Sequence, residues 1–381
     1  DKSFLKKDYD RFGFNFYVKK NVDIELWQIN NIVHKHINLD ILSFDQISII
    51  KFFDKNYFIK KINEVKKDTQ FIMHIYPDNN NQFVFNEMYR LKLKWSYLYL
   101  GNYPASKFKF YQKIQLAFLN PSLAWDQIKI KFRSSTTDSD LKYVPHSIFT
   151  SGNIAKGKSF SNIKGKLSLI SCNAFDYDKF LNYENKENIK NIPKKNYILY
   201  LDNYLPKHQD SIINGYSEKN CETDIFYKEI NNFFEYVEEL HNCSVIIAAY
   251  PKANYDKSGN PFNNRKIIVE NTLQKVKYAK QILTHNSTSV NFAAIYKIPI
   301  IFISSIHYSL GMRISIEAMA KEFNQIPLNI SKNYKNLVSK RMTVDNEIYS
   351  NYINKYIVSS NKEYTNKYSY EVIYKSLFNV N

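Results

Sequence analysis

Residues 278–303 read YAKQILTHNSTSVNFAAIYKIPIIFI, and this stretch decides the fold class. The apolar run up to Leu283 predicts a strand, and the segment from Val290 to Tyr296 has helical spacing. Pro299 ends that helix, and the apolar run after it is typical of a strand that is buried on both faces. A strand, turn, helix and strand of this size form a βαβ unit, so the sequence predicts a parallel sheet.

The turn inside this unit concentrates polar side chains. It consists of His285, Asn286, Ser287, Thr288 and Ser289. Serine and threonine are good N-caps, but capping needs only one of the three hydroxyl groups. The first N–H groups of a helix carry the positive end of its dipole and attract anions. The turn is therefore predicted to bind a phosphate group, and its simpler interpretation is a helix cap.

Length and composition bound the class of the protein. The 381 residues favour two domains over one, and 44% hydrophobic residues supply enough apolar side chains for sizeable cores. Only 8 glycines are present and none are clustered, which excludes the glycine-rich phosphate loops of the Walker and dinucleotide-binding types. The three cysteines lack the spacing of a metal site and are expected to be reduced, as in a cytoplasmic protein.

The chain is strongly basic. Its net charge is +17, from 53 Lys and Arg against 36 Asp and Glu. Such surfaces attract nucleic acids, anionic membranes or phosphorylated substrates. No nucleic-acid-binding motif is present, so nucleic acid is not an expected partner. The segment 105–133 alternates lysines with apolar residues. It is interpreted either as an amphipathic element on an anionic membrane or as helices that cover the sheet.

The expected location is the cytoplasm, with peripheral contact at the inner face of the cytoplasmic membrane under the amphipathic interpretation. No stretch approaches the roughly 20 apolar residues that cross a bilayer, and no signal peptide is visible. The chain begins with Asp1 and not with Met, so we expect that a preceding segment, with a first strand, is missing.

Strand and helix patterns alternate along both halves of the chain. Strand-like runs are Phe71 to Tyr76 and Trp95 to Leu100 in the first half, and Tyr197 to Leu201 and Ser244 to Ala249 in the second. The polar segment 182–196 separates the halves, as a domain boundary does. The predicted domains are 1–187, 188–360, and a C-terminal helix within 361–381 that packs back on the first domain.

Polar side chains follow three predicted strands of the second half. They are Asp202 and His208 after one strand, Tyr250, Pro251 and Lys252 after the next, and the hydroxyl-rich turn after the third. The carboxyl ends of parallel strands share one edge of a sheet, where ligands bind, so these groups are predicted to converge. Cations and hydroxyls suit nucleotide phosphates. Arg265 is a further candidate for neutralising a phosphate or carboxylate, or is simply a surface residue.

Four segments resemble bacterial surface-carbohydrate biosynthesis glycosyltransferases of GT-B architecture. They are KDYDRFG at 7–13, LYLDNYLPKHQD at 199–210, IIAAYPKANY at 246–255 and THNSTSVNFAAIYKIPIIFI at 284–303. AAYPK resembles the His-Pro motif of transferases that use CMP-activated acidic sugars, with Tyr250 where histidine is usual. HNSTS resembles their Ser/Thr motif. The resemblance implies an α/β fold with two Rossmann-like domains that face each other across a cleft.

The same resemblance implies an inverting glycosyltransferase in which the first motif contacts the nucleotide and the second its phosphate. A base in the first domain would deprotonate the acceptor hydroxyl, and the second domain would stabilise the leaving phosphate. The candidate bases are Asp8, Asp10 and His74, each of which is otherwise a cap, a packed or a solvated side chain. No Asp-x-Asp pair recommends itself as the ligand of a Mg²⁺ ion that holds phosphates, so no metal or other cofactor is expected.

The expected donor is a CMP-linked nonulosonic acid or Kdo-like sugar, with a UDP-hexose as the alternative. The expected acceptor is a bacterial surface glycan or a lipid-linked glycan. Two other classes stay open. A non-catalytic module that binds anionic glycans or membranes predicts salt-dependent binding to anionic vesicles. A sugar-nucleotide epimerase on the same scaffold predicts turnover of the donor without an acceptor.

Overall fold

The structure is a computed structural model that describes most of the chain. The described residues are 4, 6–33, 44, 46–75, 80–104, 143–153, 167–186, 196–207, 221–251, 253, 255–332, 334–338 and 343–378. The basic segment 105–133 lies outside them. The described residues form two compact units. The first unit holds those up to Asn102, those from 143 to 181 and those from Val358 on, and the second holds residues 103 and 104 and those from Asn182 to Ile357.

The first unit contains two parallel sheets. The smaller one pairs β1 (Glu25–Gln28) with β2 (Ser48–Lys51). The larger one has four strands in chain order, β3 (Phe71–Met73), β4 (Trp95–Tyr99), β5 (Ser147–Ser151) and β6 (Ser168–Cys172). Every neighbouring pair is parallel, so the carboxyl ends of these strands lie at one edge.

Six of the helices that the structure describes lie in or begin in this unit before its C-terminal segment. They are α1 (Lys6–Arg11), α2 (Phe14–Lys19), α3 (Asn30–Val33), α4 (Lys55–Asn63), α5 (Gln82–Arg90) and α6 (Phe175–Lys186). Both α4 and α5 are amphipathic and bury one apolar side each. Their buried residues Phe58 and Phe85 pack with Phe52 and Trp95 in one hydrophobic cluster, which fixes the helices on the sheets.

The second unit is built on one parallel sheet of six strands. They are β7 (Tyr197–Leu201), β8 (Ser244–Ala248), β9 (Ile267–Ile268), β10 (Gln281–Thr284), β11 (Ile300–Ser304) and β12 (Leu328–Asn329). Their spatial order is β12-β11-β10-β7-β8-β9. The chain starts at β7, moves outward to β9 and then returns to the other side of β7. The direction of winding therefore reverses between β7 and β10, which makes this position the topological switch point of the sheet.

The second unit also has seven helices among its described residues. They are α7 (Thr223–His241), α8 (Tyr255–Ser258), α9 (Thr272–Lys277), α10 (Val290–Ile295), α11 (Leu310–Lys321), α12 (Lys335–Val338) and α13 (Asn346–Tyr356). Every residue of β7, β10 and β11 is buried. This burial is the reason for their continuous apolar character. The βαβ unit predicted at 278–303 is confirmed as β10, α10 and β11. No described helix combines the length and apolar character needed to cross a membrane.

The C-terminal segment from Val358 to the last helix, α14 (Ser369–Phe378), belongs to the first unit. A completely buried amide, Asn173, fixes this segment directly after β6. Its Nδ2 donates to three backbone carbonyls of the segment, and its Oδ1 accepts from the backbone N–H of Ser359 at 2.8 Å. The three carbonyls belong to Tyr364, Thr365 and Lys367, at 3.0, 3.0 and 2.8 Å.

A buried carboxyl group holds the start of α14. Asp178 on α6 accepts hydrogen bonds from the backbone N–H of Ser369, at 2.9 Å, and from the Ser369 hydroxyl. Burial raises the pKa of Asp178 from 3.8 to about 7, the bonds from Ser369 partly oppose this rise, and nearby Glu371 and Asp176 add to it. The carboxyl group thus titrates close to neutral pH while it contacts the last helix.

The pKa of Asp178 predicts a pH-dependent stability. Because the folded state raises this pKa, the folded chain binds the proton more tightly than the unfolded chain does. The stabilisation is complete below the ordinary value of 3.8 and is lost as the pH rises through about 7. Relative to Asp178→Asn, the unfolding free energy of the wild type should fall by about 4 kcal/mol across this window.

Urea unfolding of both proteins at several pH values between about 4 and 8, a range that spans the titration of Asp178, measures this difference. The variant Asp256→Asn, at an exposed position of the second unit, is the control and should run parallel to the wild type. Parallel curves for wild type and Asp178→Asn would contradict the prediction.

Candidate functional site

The switch point of the second sheet lies where the sequence predicted converging polar loops. β10, β7 and β8 are adjacent. The residues that follow these strands are Asp202 and its neighbours after β7, Tyr250 and Pro251 after β8, and His285 to Ser289 after β10. Two of the predicted site residues, His208 and Lys252, lie outside the described residues. In open α/β sheets this position, at the carboxyl ends of the strands, is where ligands bind.

Asp202 links the end of β7 to the loop after β8. Its carboxylate is 4% exposed and accepts hydrogen bonds from the Tyr204 N–H at 2.9 Å, the Tyr250 N–H at 3.4 Å and the Tyr255 hydroxyl at 2.7 Å. Burial raises the pKa of Asp202, and these hydrogen bonds act in the opposite direction. Because protein groups occupy both carboxylate oxygens, Asp202 positions the Tyr250–Pro251 loop.

Asn203 links the end of β7 to the hydroxyl-rich bend, and the sequence analysis missed it. Its Nδ2 donates to Asn286 Oδ1 at 2.6 Å, and Asn286 Nδ2 donates in turn to the Ser315 hydroxyl on α11 at 2.8 Å. These two hydrogen bonds cross the switch point and fix Asn286, which is the first residue of the bend that is open to solvent. The available signal was its position, directly after Asp202 at the end of a strand.

His285 is enclosed by protein. It has no exposed surface, and its ring packs against Tyr200, Phe226 and Tyr308 with centroids 5.7, 5.9 and 5.4 Å away. Its Nδ1–H donates to the carbonyl oxygen of Ile303 at 2.9 Å. Burial lowers the pKa of His285 to about 4, so the ring is neutral at pH 7. This hydrogen bond links the residue after β10 to β11, so the His285 side chain holds the start of the bend in place.

The three hydroxyls of the bend are not used as helix caps. Ser289 occupies the N-cap position of α10, yet its side chain makes no capping hydrogen bond. The Ser287 hydroxyl accepts from the Ser289 N–H at a long 3.4 Å. Thr288 is exposed, and Ser287 and Ser289 are half-buried. Because α10 has only 6 residues, its dipole contributes little to anion binding. An anion at the bend would interact mainly with its hydroxyl and backbone N–H groups.

Arg265 is engaged elsewhere in the second unit. Its side chain is 9% exposed and forms an ion pair of 2.7 Å with Glu238 on α7. A second guanidinium nitrogen donates to Asn231 Oδ1 at 3.1 Å, and the group lies 5.4 Å from the ring centroid of Phe234. Arg265 thereby joins the segment before β9 to α7, and in this structure its guanidinium neutralises a glutamate.

His74, one candidate base of the first unit, contacts the residue that follows the helix carrying the other two. His74 follows β3 directly, and its ring packs on Phe12 with centroids 4.8 Å apart. Phe12 follows α1, which carries half-buried Asp8 and exposed Asp10. Asp10 pairs with Lys6 at 2.9 Å. The carboxyl end of β3 therefore brings an imidazole close to the helix that holds both carboxylates, and the choice among the three stays a prediction.

Metal-ligating side chains do not cluster in the described part of the chain. No group of three or more His, Cys, Asp or Glu that could hold a metal ion is found among those residues. The expectation of metal-independent chemistry stays a prediction.

Comparison with known proteins finds similarity at the level of structure. No protein-family model matches the chain, and no relative is found among curated proteins. The crystal structure of Arabidopsis thaliana UGT89C1 matches with a TM-score of 0.51 and 6% identity, over 97% of this chain and 93% of that chain. UDP-GlcNAc 2-epimerase from Methanocaldococcus jannaschii, in complex with UDP-GlcNAc and UDP, matches at 0.45 with 14% identity, over 94% and 100%. The spinosyn forosaminyltransferase SpnP matches at 0.45 with 10% identity, over 97% and 94%.

The similarity to UGT89C1 extends over nearly the whole of both chains. Together with the two parallel-sheet units, it confirms the expected fold class, an α/β chain with two Rossmann-like units of the GT-B type.

Proposed function

We propose that this protein is a glycosyltransferase that moves a sugar from a nucleotide-activated donor to a glycan acceptor. The observation that carries the proposal is the bend after β10. It lies at the switch point of a Rossmann-like sheet and presents Ser287, Thr288 and Ser289, whose hydroxyls do not cap α10. Hydroxyl and backbone N–H groups at this place in such a sheet suit the phosphate of a nucleotide.

The proposed reaction is a direct displacement at the anomeric carbon, with inversion and without a metal. A base takes the proton of an acceptor hydroxyl, the oxygen forms a bond to the anomeric carbon, and the bond to the donor phosphate breaks. The phosphate leaves with the bonding electron pair, and the bend stabilises its charge. Asp8, Asp10 and His74 are the proposed candidates for the base.

Two donor classes fit this site. The Ser/Thr-type bend and the Tyr250–Pro251 pair support a CMP-linked acidic sugar of the nonulosonic or Kdo-like type. Tyr250 has a hydroxyl in place of the imidazole that is usual in that motif, and this hydroxyl can also donate a hydrogen bond to a nucleotide. Because the motif departs from its usual form at this residue, a UDP-hexose is the alternative donor. The proposed acceptor is a bacterial surface glycan or a lipid-linked glycan, used at the inner face of the cytoplasmic membrane.

Acceptor-dependent release of nucleotide is the test of this proposal. The purified protein is incubated with CMP-linked acidic sugars and with UDP-hexoses, each with and without an oligosaccharide acceptor, and free CMP or UDP is measured. A transferase should release nucleotide at a rate that rises at least about tenfold with the right acceptor, because that acceptor supplies the nucleophile.

The other outcomes separate the competing classes. Conversion of a UDP-hexose without any acceptor would show an epimerase. Failure to bind CMP and UDP, together with salt-sensitive binding to anionic vesicles, would show a non-catalytic module and would overturn the proposal.

A further inference from the structure

The most exposed aromatic side chain among the described residues lies between β2 and α4. Phe53 is 68% exposed, although the residue before it, Phe52, is completely buried. Four residues further on, Tyr57 is 46% exposed, and its ring lies 5.4 Å from the ring of Phe52. One buried ring thus has an exposed ring next to it in the chain and another in contact with it, which makes an apolar surface at the start of α4.

The fold leaves Phe53 on the surface. Asp54 caps α4 by accepting from the Tyr57 N–H at 2.8 Å, which makes Phe53 the residue before the cap. A hydrophobic residue at this position often packs against the fourth residue of the helix, which is Phe58. Here Phe58 is buried and contacts the ring of Phe52 at 5.3 Å, while Phe53 stays exposed. Phe53 therefore presents an apolar surface that the protein's own core does not cover.

Lys51 lies beside Phe53. The Phe52 N–H donates to the carbonyl oxygen of Gln28 at 2.9 Å, so the chain stays extended and paired with β1 through this residue. Successive side chains of an extended chain point to opposite sides. Lys51 and Phe53 therefore share the exposed side, and Phe52 between them faces the core.

Two further lysines lie beside Tyr57. Lys60 and Lys61 follow it by three and four residues on α4, the spacings at which helical side chains are neighbours. Lys61 pairs with Glu64 at 3.9 Å, whereas Lys60 is exposed and has no ion pair among the described residues. From Lys51 to the end of α4, the chain carries four lysines and one acidic residue, a net charge of +3. The exposed rings thus lie on a cationic surface.

We propose that this surface, formed by Lys51, Phe53, Tyr57 and Lys60, binds an anionic membrane. Aromatic rings enter the boundary between lipid headgroups and acyl chains, and lysines around them attract anionic lipids. The net charge of +17 of the whole chain adds a long-range attraction to such a membrane. The inference rests on the proposed function for its purpose, because a lipid-linked acceptor lies in a membrane. It places the contact at residues 51–60 and not at the basic segment 105–133.

Co-sedimentation with phospholipid vesicles tests this inference. The wild type should bind vesicles that contain phosphatidylglycerol, and should bind pure phosphatidylcholine vesicles at least about tenfold more weakly. Phe53→Ser should weaken binding to the anionic vesicles about tenfold, because it removes the apolar side chain that enters the lipid. The double variant Lys51→Gln with Lys60→Gln should weaken it about 20-fold, since each lysine near an anionic surface contributes roughly a factor of five.

Two substitutions in the second unit are the matched controls. Ile326→Ser removes an apolar side chain that is 80% exposed, and Lys321→Gln removes an exposed charge. Both should bind vesicles within about twofold of the wild type, because neither side chain belongs to the proposed surface and scattered exposed charges are screened by salt. Phe53→Ser should keep the melting temperature of the wild type, because Phe53 is not part of the core.

Phe53→Trp reports insertion into lipid directly. The emission of the added tryptophan, taken as the difference from the wild type, should shift to shorter wavelength on anionic vesicles, and brominated lipids should quench it. Ile326→Trp should show neither change. An added tryptophan at position 53 that keeps the emission of a solvated ring on vesicles would overturn the inference.

The outcomes separate the surface from the reaction. Vesicle binding that is equal in the wild type and Phe53→Ser, or absent from both, would overturn the inference. Dimerisation that Phe53→Ser abolishes, without vesicle binding, would show that a second copy covers this surface and would overturn it as well. Acceptor-dependent release of nucleotide with a soluble oligosaccharide should be the same in Phe53→Ser and the wild type. If neither protein binds or releases a nucleotide while only the wild type binds vesicles, the proposed function fails and the membrane surface stands.

Discussion

Thr288→Glu is expected to lose at least about 100-fold in affinity for the nucleotide that the protein binds, because a carboxylate in the bend repels the phosphate and like charges cost several kcal/mol. Thr288 is the exposed residue of the bend and does not cap α10. The substitution should therefore leave folding intact. Titration calorimetry measures the affinity, and circular dichroism at rising temperature checks the fold.

Two controls separate charge from shape in the bend. Thr288→Gln adds similar bulk without charge, and its loss should stay about tenfold or less, the worth of one neutral hydrogen bond. Thr365→Glu adds the same charge in the first unit and should bind nucleotide like the wild type. If Thr288→Glu binds nucleotide as tightly as the wild type, the phosphate does not bind at this bend.

Asn173→Ala is expected to destabilise the first unit by about 3 to 5 kcal/mol, because the change leaves several buried polar groups of the C-terminal segment without partners. Asn173 is completely buried, and within the described residues its amide hydrogen-bonds to backbone groups of residues 359–367. The loss should be concentrated in that segment and in α14. Hydrogen exchange of these amides and urea unfolding measure the effect.

The control for this variant is Asn196→Ala. Asn196 also donates to a backbone carbonyl, that of Asn242 at 2.9 Å, but it is exposed. Water can replace this hydrogen bond, so the expected loss is below about 1 kcal/mol. The amides of the C-terminal segment should exchange hydrogen at the wild-type rate in this control. An Asn173→Ala protein that matches the control in stability and exchange would show that the segment is held by apolar packing alone.

The parallel sheets were predictable because their signals are local. The run Tyr197 to Leu201 is a strand with the predicted bounds, and every residue in it is buried. A continuous apolar run between polar segments is typical of a strand covered on both faces, so no knowledge of its neighbours is needed. The turn chemistry after Leu283 was equally local, since a polar run between an apolar strand and a helix marks a loop.

Helix α13 was not predicted, although its signal is present. Its buried residues are Tyr349, Tyr352 and Tyr356, which have helical spacing, and Asp345 caps it through the N–H groups of Glu347 and Ile348. Tyrosine is abundant in this chain, so a periodic set of tyrosines does not stand out from its background. The buried tyrosines of this helix also have partners for their hydroxyls, as in the bond from Tyr352 to Asn291 at 2.8 Å, and such distant partners are not visible in the sequence.

The partners of polar side chains at the site were not predictable from the sequence. Arg265 and Glu238 are far apart in the chain, and only the packing of α7 on the sheet brings them together. The same holds for Asn203 and Asn286, which meet because β7 and β10 are neighbours in the sheet. The sequence identifies residue types that suit phosphate binding. Only the fold shows which of these side chains already bond to other groups of the protein.

A crystal structure of the protein with bound CMP or UDP, whichever nucleotide the titrations select, tests the central claim most directly. The claim is that the bend at the switch point of the second sheet holds the phosphate of the donor. We expect phosphate oxygens within about 3 Å of the hydroxyl or N–H groups of Ser287, Thr288 or Ser289. A nucleotide whose phosphate lies elsewhere in the chain, with this bend in contact with water only, would contradict the account.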